Sequence, residues 1–284
     1  MPPLPLATAP LVNASWLLEN IAKVRIVDTR FALGKPNAGR EEFSEAHIPT
    51  AVFADLERDL SAPPQADRRG GRHPLPAIER LEATLSALGI SNTDQVIVYD
   101  DPCAGSGYHA AHFWWILRYL GHDAVSVLDG GFAAWQAAGG ATESGPPLPN
   151  PGSFQAKPRP EMLVDAAYVQ NRGTATVLVD SRAPERFRGE FEPLDWKAGH
   201  IPGAVNMDWS QGLSEGHFLT PEAQQERFKG IQNAAELIVY CGSGVSAGAN
   251  MLALELAGIS GAKLYAGSWS DWISDECRPF LTGG

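Results

Sequence analysis

Cysteine is scarce in this chain: Cys103, Cys241 and Cys277 are all it has. Three cysteines cannot all pair within one chain, and so few do not build a disulfide framework. Charge is sparse too. Charged residues make up 19% of the chain and leave a net charge of −11. That balance argues against generic binding to nucleic acid or to an anionic membrane, while leaving room for a local positive pocket that holds a small anion. Long apolar runs are missing. The run Phe113–Leu120 is too short to span a bilayer and carries Arg118. The N-terminal stretch Met1–Pro10 lacks the basic region and apolar segment of a signal peptide. No Cys/His cluster has structural-zinc spacing. The expectations are a reducing, cytoplasmic setting, no metal, no cofactor, and neither nucleic acid nor membrane as partner.

What is present is a core and a repeat. Hydrophobic residues form 44% of 284 positions, enough for one large domain or two ordinary ones. Ile26-Val27-Asp28-Thr29-Arg30 returns as Leu178-Val179-Asp180-Ser181-Arg182. Ala46-His47-Ile48-Pro49 returns as Gly199-His200-Ile201-Pro202, and Val96–Tyr99 returns as Leu237–Tyr240. Leu128–Phe132 leads to Trp135 as Tyr265–Trp269 leads to Trp272. Four blocks in one order imply two tandem copies. The boundaries read as 1–140 for the first copy, 141–161 for a proline-rich linker, and 162–284 for the second. Within each copy, short β-branched runs alternate with helical stretches. Ile78–Leu88 has apolar residues at helical spacing and stops at Gly89; Val96–Tyr99 reads as a strand buried on both faces. The fold class is α/β, with a mainly parallel sheet flanked by helices in each copy.

The copies are not equivalent. Ile238–Tyr240 leads into Cys241-Gly242-Ser243-Gly244-Val245-Ser246, followed by a helix-compatible stretch from Gly248 to Leu256. A cysteine there ends a strand and faces a helix N-terminus, where loop N–H groups favour a thiolate. In α/β sheets such strand ends are where ligands bind. The first copy has Asp100 at the matching position, so it reads as non-catalytic. It is also longer. His47 to Tyr99 spans 52 positions and His200 to Tyr240 spans 40, so the first copy carries 12 more. The excess falls near Ser61–Pro76, which includes Arg68, Arg69, Arg72 and His73. Asp28 with Arg30 and Asp180 with Arg182 recur in both copies, which favours a structural ion pair. Trp135 and Trp272 read as core.

The duplicated Asp-x-Arg, His-Ile-Pro and strand-Cys-loop blocks resemble the tandem rhodanese-domain sulfurtransferases over essentially the whole chain. Cys241–Ala247 resembles the active loop of the mercaptopyruvate members, with Ser246 where those usually have threonine. Thiosulfate-preferring members typically have Arg-Lys where this chain has Gly242-Ser243. The resemblance implies two rhodanese-like domains. It also implies that Cys241 takes a sulfane sulfur from 3-mercaptopyruvate as a persulfide, then passes it to a thiol such as thioredoxin or to cyanide. Gly242 and Gly244 would curl the loop so that its amides point inward, and Val245 and Ser246 would complete the binding loop. Ser246 reads equally as a helix N-cap. Ser243 would belong to a Ser–His–acid relay with His47 as its histidine. The competing reading of His47 is structural, because His200 occupies the same motif position. Asn37 stands where the family often has the relay acid, leaving either a weaker relay or a role for Glu41. Arg186 matches the arginine that grips the donor's carboxylate or sulfonate. After Glu192-Pro193 the mercaptopyruvate members carry a second arginine; here it is Leu194, with Arg188 and Lys197 as substitutes.

Two other activities and one non-enzymatic role compete. A thiosulfate sulfurtransferase would use the same Cys241 and Arg186. A cysteine phosphatase or arsenate reductase needs an arginine at the position held by Ala247, which argues against that class. A non-enzymatic rhodanese-like regulatory module would commonly lack the cysteine, as the first copy does.

Overall fold

A computed structural model describes residues 9–101, 107–146 and 149–284; Cys103 lies outside the described residues. The chain divides into two compact units. Unit 1 takes the described residues among Met1–Ser61, Pro76–Arg159 and Glu215–Phe218, and unit 2 takes Ala62–Leu75, Pro160–Ser214 and Leu219–Gly284.

Unit 1 runs β1 (Leu11–Val12), α1 (Ala14–Asn20), β2 (Arg25–Asp28), α2 (Ala38–Glu45), β3 (Val52–Phe53), α3 (Ile78–Ala87), β4 (Val96–Tyr99), α4 (His109–Tyr119), β5 (Val125–Leu128) and α5 (Gly131–Ala137). Its sheet order is β1-β5-β4-β2-β3, parallel throughout. Unit 2 runs β6 (Leu163–Val164), α6 (Ala166–Gln170), β7 (Thr176–Asp180), α7 (Pro184–Phe187), β8 (Ala204–Asn206) and β9 (Leu213–Ser214). After β10 (His217–Phe218), which falls in unit 1, it resumes with α8 (Pro221–Phe228), β11 (Glu236–Tyr240), α9 (Ala247–Leu256), β12 (Lys263–Tyr265) and α10 (Ser268–Trp272). Its sheet order, β6-β12-β11-β7-β8, repeats the first strand for strand and is also parallel.

Local chemistry explains the element ends. Asn13 caps α1 by accepting from Trp16 N–H at 2.8 Å, and Asp165 caps α6 by accepting from Tyr168 N–H at 2.8 Å. Helix α3 stops before Gly89, whose φ of +77° suits glycine. All four residues of β4 are buried, and β11 is buried from Leu237 to Tyr240. Both are central strands covered on both faces, so their sequences are continuous apolar runs.

The recurrent polar residues are structural. Arg30 pairs with Asp28 at 2.7 Å and Arg182 with Asp180 at 2.5 Å. Each guanidinium also donates to a backbone carbonyl, Ala46 and Gly199 respectively, at 2.7 Å. Each lies over an aromatic ring, Phe132 at 4.5 Å and Trp269 at 4.8 Å. A buried charge pair persists when its remaining hydrogen-bonding capacity is met in this way. Trp135 and Trp272 are buried and donate to the Ala141 and Pro279 carbonyls at 2.8 Å.

Two boundaries differ from the sequence expectation. The described residues of the proline-rich stretch up to Arg159 belong to unit 1 rather than standing free. The amides between its prolines are used: Gly152 donates to Ser86, Lys157 to Leu120 and Arg159 to Tyr119. The extra residues of the first copy, Ala62–Leu75, belong to unit 2. Among the described residues no helix is long and apolar enough to cross a membrane.

Candidate active site

Cys241 follows the carboxyl end of β11, between the ends of β7 and β12. Its residue is 1% exposed, and its Sγ accepts from Gly244 N–H at 3.2 Å. The backbone is pinned on both sides. Ser268 Oγ accepts from Cys241 N–H at 3.1 Å, while Trp269 and Ser270 N–H donate to the Cys241 and Gly242 carbonyls at 3.0 Å. Gly244 has φ of +86°, and a Cβ there would sit 2.2 Å from the Ala266 carbonyl oxygen. Only glycine fits, and its fit turns the Gly244 amide onto the sulfur. Val245 is buried. Ser246 occupies the N-cap position of α9 without a side-chain capping bond, so its hydroxyl is not spent on the helix.

Ser243 is 7% exposed, and its Oγ lies 2.9 Å from Nδ1 of His73. His73 arrives on the Ala62–Leu75 segment, whose path is set by backbone contacts. Ala62 N–H donates to the Pro74 carbonyl at 2.7 Å and closes the excursion. Gly70 N–H donates to Asp271 Oδ1 at 2.8 Å, and Arg72 N–H to Ser270 Oγ at 3.0 Å. Gly71, at φ +86°, packs so closely that a Cβ would lie 2.5 Å from the Gly267 carbonyl oxygen. Burial, helped by the positive charges of Arg72 and Arg68, lowers the His73 pKa to about 4. His73 is therefore neutral near pH 7 and suited to accept or relay a proton.

Arg186 is held by Glu192, through Nε at 3.0 Å and Nη2 at 2.7 Å. The Glu192 side chain is buried; it also accepts from Leu194 and Asp195 N–H and contacts Arg182 at 3.4 Å. Arg186 Nη2 lies 3.6 Å from the Asp195 carboxylate. A Cβ on Gly242 would be 3.3 Å from Arg186 Nη2, which places the guanidinium beside the residue after the cysteine. The arginine, serine and cysteine named from the sequence thus come together.

His47 and Asn37 have partners of their own within unit 1. The histidine at Ser243 is His73; His47 lies in unit 1, with Nδ1 2.7 Å from the Phe43 carbonyl and its ring stacked on Phe43 at 3.9 Å. His200 makes the same two contacts with Phe187, at 2.8 and 3.8 Å. Both backbones also exchange hydrogen bonds with a later segment, His47 with Glu143 and His200 with Leu281. This is one structural device used twice. Asn37 is exposed and accepts from Arg58 at 2.9 Å, not from His47. Glu41 is an exposed residue in the first turn of α2. Arg188 is half-buried and paired with Glu190, and Lys197 lies over the Trp196 and Phe280 rings. In unit 1 Asp100 follows β4 as Cys241 follows β11 in unit 2. Its carboxylate accepts from His109 and Ala110 N–H at 2.9 and 3.1 Å, and burial raises its pKa to about 7. Among the described residues, no group of three or more His, Cys, Asp or Glu side chains is placed to hold a metal ion. Sequence reasoning missed Arg72, His73 and Asp195. The length excess around Ser61–Pro76 was the available signal for the first two.

Comparison with known proteins agrees with this geometry. A family model described as "Rhodanese-like domain" matches residues 13–138 and 165–275. A Pseudomonas aeruginosa protein named "Probable 3-mercaptopyruvate sulfurtransferase" is 46% identical, over 98% of this chain and 100% of its own. The thiosulfate sulfurtransferase of Gallus gallus is 35% identical over 93% of each chain. The crystal structure of SseA from Escherichia coli, titled as a 3-mercaptopyruvate sulfotransferase, superposes with a TM-score of 0.79 at 34% identity. It covers 92% of this chain and 99% of that one. The chain belongs to the rhodanese-like domain family, with one such domain in each half.

Proposed function

We propose that the chain is a sulfurtransferase that moves a sulfane sulfur from 3-mercaptopyruvate to a thiol acceptor, such as thioredoxin, or to cyanide, through a persulfide on Cys241. The observation that carries the reading is the loop itself: Cys241 Sγ under the Gly244 amide, with the Ser243–His73 pair two residues on. The Cys241 thiolate attacks the donor sulfur and an S–S bond forms. The C–S bond breaks, and its electron pair leaves as the enolate of pyruvate. The donor's thiol proton stays on the outer sulfur, giving Cys241–S–SH. The Ser243 hydroxyl gives the enolate a proton, and neutral His73 relays the replacement, passing one proton from Nδ1 to Ser243 as its other ring nitrogen takes one from water. Arg186 orients the donor's carboxylate. The acceptor then attacks the outer sulfur and regenerates the thiolate. Unit 1, with Asp100 in place of the cysteine, supports rather than catalyses. A cytoplasmic setting suits a thiolate that must stay reduced.

Thiosulfate is the second donor to weigh, because relatives carry both names. Sulfite leaves with its electron pair on a stable oxyanion and needs no proton, whereas an enolate does. The hydrogen-bonded Ser243–His73 pair therefore favours mercaptopyruvate. Incubation with mercaptopyruvate should raise the intact mass by one sulfur atom, and Cys241→Ala should abolish the adduct. An adduct that survives the substitution would remove Cys241 from the mechanism. A kcat/KM about tenfold higher with thiosulfate, ~1.4 kcal/mol in transition-state stabilisation, would reassign the donor.

A further inference from the structure

We infer that Arg72 is a specificity-determining residue, and that Arg72 and Arg186 together form a two-guanidinium clamp for the donor's carboxylate over Gly242. The inference rests on the sulfurtransferase reading of Cys241 and adds a residue that the sequence patterns do not mark.

Both arginines converge on one point. A Cβ at Gly242 would lie 3.0 Å from Arg72 Nη2, 3.3 Å from Arg186 Nη2 and 3.5 Å from Arg186 Nη1. Two cations at such a spot repel unless anions hold them. Asp195, 5% exposed, accepts from Arg72 Nη1 and lies 3.6 Å from Arg186 Nη2. Glu192 takes Nε and Nη2 of Arg186. Glu192 therefore grips one edge of Arg186, and Asp195 holds one nitrogen of Arg72. Arg72 Nη2 and Arg186 Nη1 remain, and both face the glycine next to Cys241. The two arginine side chains are 16% and 17% exposed, dry enough for a charge-assisted hydrogen bond to have weight and open enough for a small anion to enter.

The donor's shape matches. In mercaptopyruvate two carbons separate the sulfur from the carboxylate. With the sulfur at Cys241 Sγ, the carboxylate falls toward the next residue, Gly242, where the free N–H groups are. A side chain at Gly242 would occupy that space. Arg72 is fixed for this task by its own backbone, through the bond to Ser270 Oγ and the tight packing of Gly71 on Gly267. Asp195 is its positioning residue.

The test compares two donors on the full chain. One is mercaptopyruvate. The other is mercaptoacetone, in which a methyl group replaces the carboxylate and the same C–S cleavage releases the enolate of acetone. Arg72→Ala should lower kcat/KM for mercaptopyruvate roughly 10- to 100-fold, chiefly through KM, and collapse the preference for it over mercaptoacetone by a similar factor. Arg72→Lys, with a point charge and no fork, should fall between. Asp195→Asn, which loosens Arg72 without removing it, should erode the preference partway. An equal loss on both donors, or an unchanged preference, would overturn the clamp. If the unsubstituted protein forms no persulfide from either donor, the Cys241 reading fails first, and the clamp with it.

Discussion

His73→Asn separates a proton relay from a structural histidine. An asparagine places a polar atom close to where Nδ1 stands, 2.9 Å from Ser243 Oγ, so it keeps the hydrogen bond and loses the titration. Positioned general acid–base groups contribute roughly 10²- to 10⁴-fold, and kcat with mercaptopyruvate should fall within that range. Turnover of thiosulfate, whose leaving group needs no proton, should fall by less than about tenfold. The pH profile adds a second readout. With its pKa lowered to about 4, chiefly by burial, His73 is neutral across the working range. The acid limb of kcat/KM that it sets should lie near pH 4 rather than near 6.5, and His73→Asn should remove it. The same shift has a stability consequence of known sign. Below pH 6.5 the unfolded chain binds a proton that the native state refuses until about pH 4. Stability therefore drops as pH falls through that window, by at most about 3 kcal/mol and less for a half-buried ring. His73→Asn should lessen the acid sensitivity. The control is His47→Asn, which loses a stacked ring and should cost stability, about 1 kcal/mol, without altering the donor ratio. Equal losses on both donors for His73→Asn, or a donor ratio that moves with His47→Asn, would refute the assignment.

Two further perturbations test the loop and its counterpart. Gly244→Ala forces a Cβ to within 2.2 Å of the Ala266 carbonyl at a φ of +86°, so the loop must shift. It should cost about 1–3 kcal/mol in a thermal melt and slow persulfide formation from both donors, since the Gly244 amide leaves Sγ; an unchanged rate would show that this amide is dispensable. Asp100→Asn removes a buried carboxyl whose pKa is raised to about 7 by desolvation. Between about pH 4 and 7 the unfolded chain releases that proton and the native chain retains it, so stability falls as pH rises, by up to about 4 kcal/mol. The asparagine oxygen still accepts from His109 and Ala110, so Asp100→Asn should raise the melting temperature at pH 8 relative to pH 5; an equal effect at both would contradict the buried-acid account.

Several features needed no tertiary information. The duplication was legible because each block repeats a local device: Asp28 and Asp180 anchor an arginine two residues on, and His47 and His200 fold back on a nearby phenylalanine. Continuous apolar runs marked the buried parallel strands β4 and β11, and the glycines after Cys241 marked a loop that only glycine can trace. The non-equivalence of the copies was equally plain in Asp100. The partner of Ser243 was another matter. Motif position pointed to His47, yet the two histidines of that motif hold backbone segments, and the contact is made by His73, 170 positions before Ser243. Arg72 travels on the same segment and meets Asp195 across 123 positions. No local pattern encodes such contacts. They depend on where a 14-residue excursion, Ala62–Leu75, finds acceptors for its amides and room for Gly71 against Gly267, and that is decided by packing on unit 2. Sequence alone determined the cysteine at the strand end, its loop and the doubled sheet. Tertiary structure alone chose the histidine that meets Ser243 and the second arginine that meets Gly242.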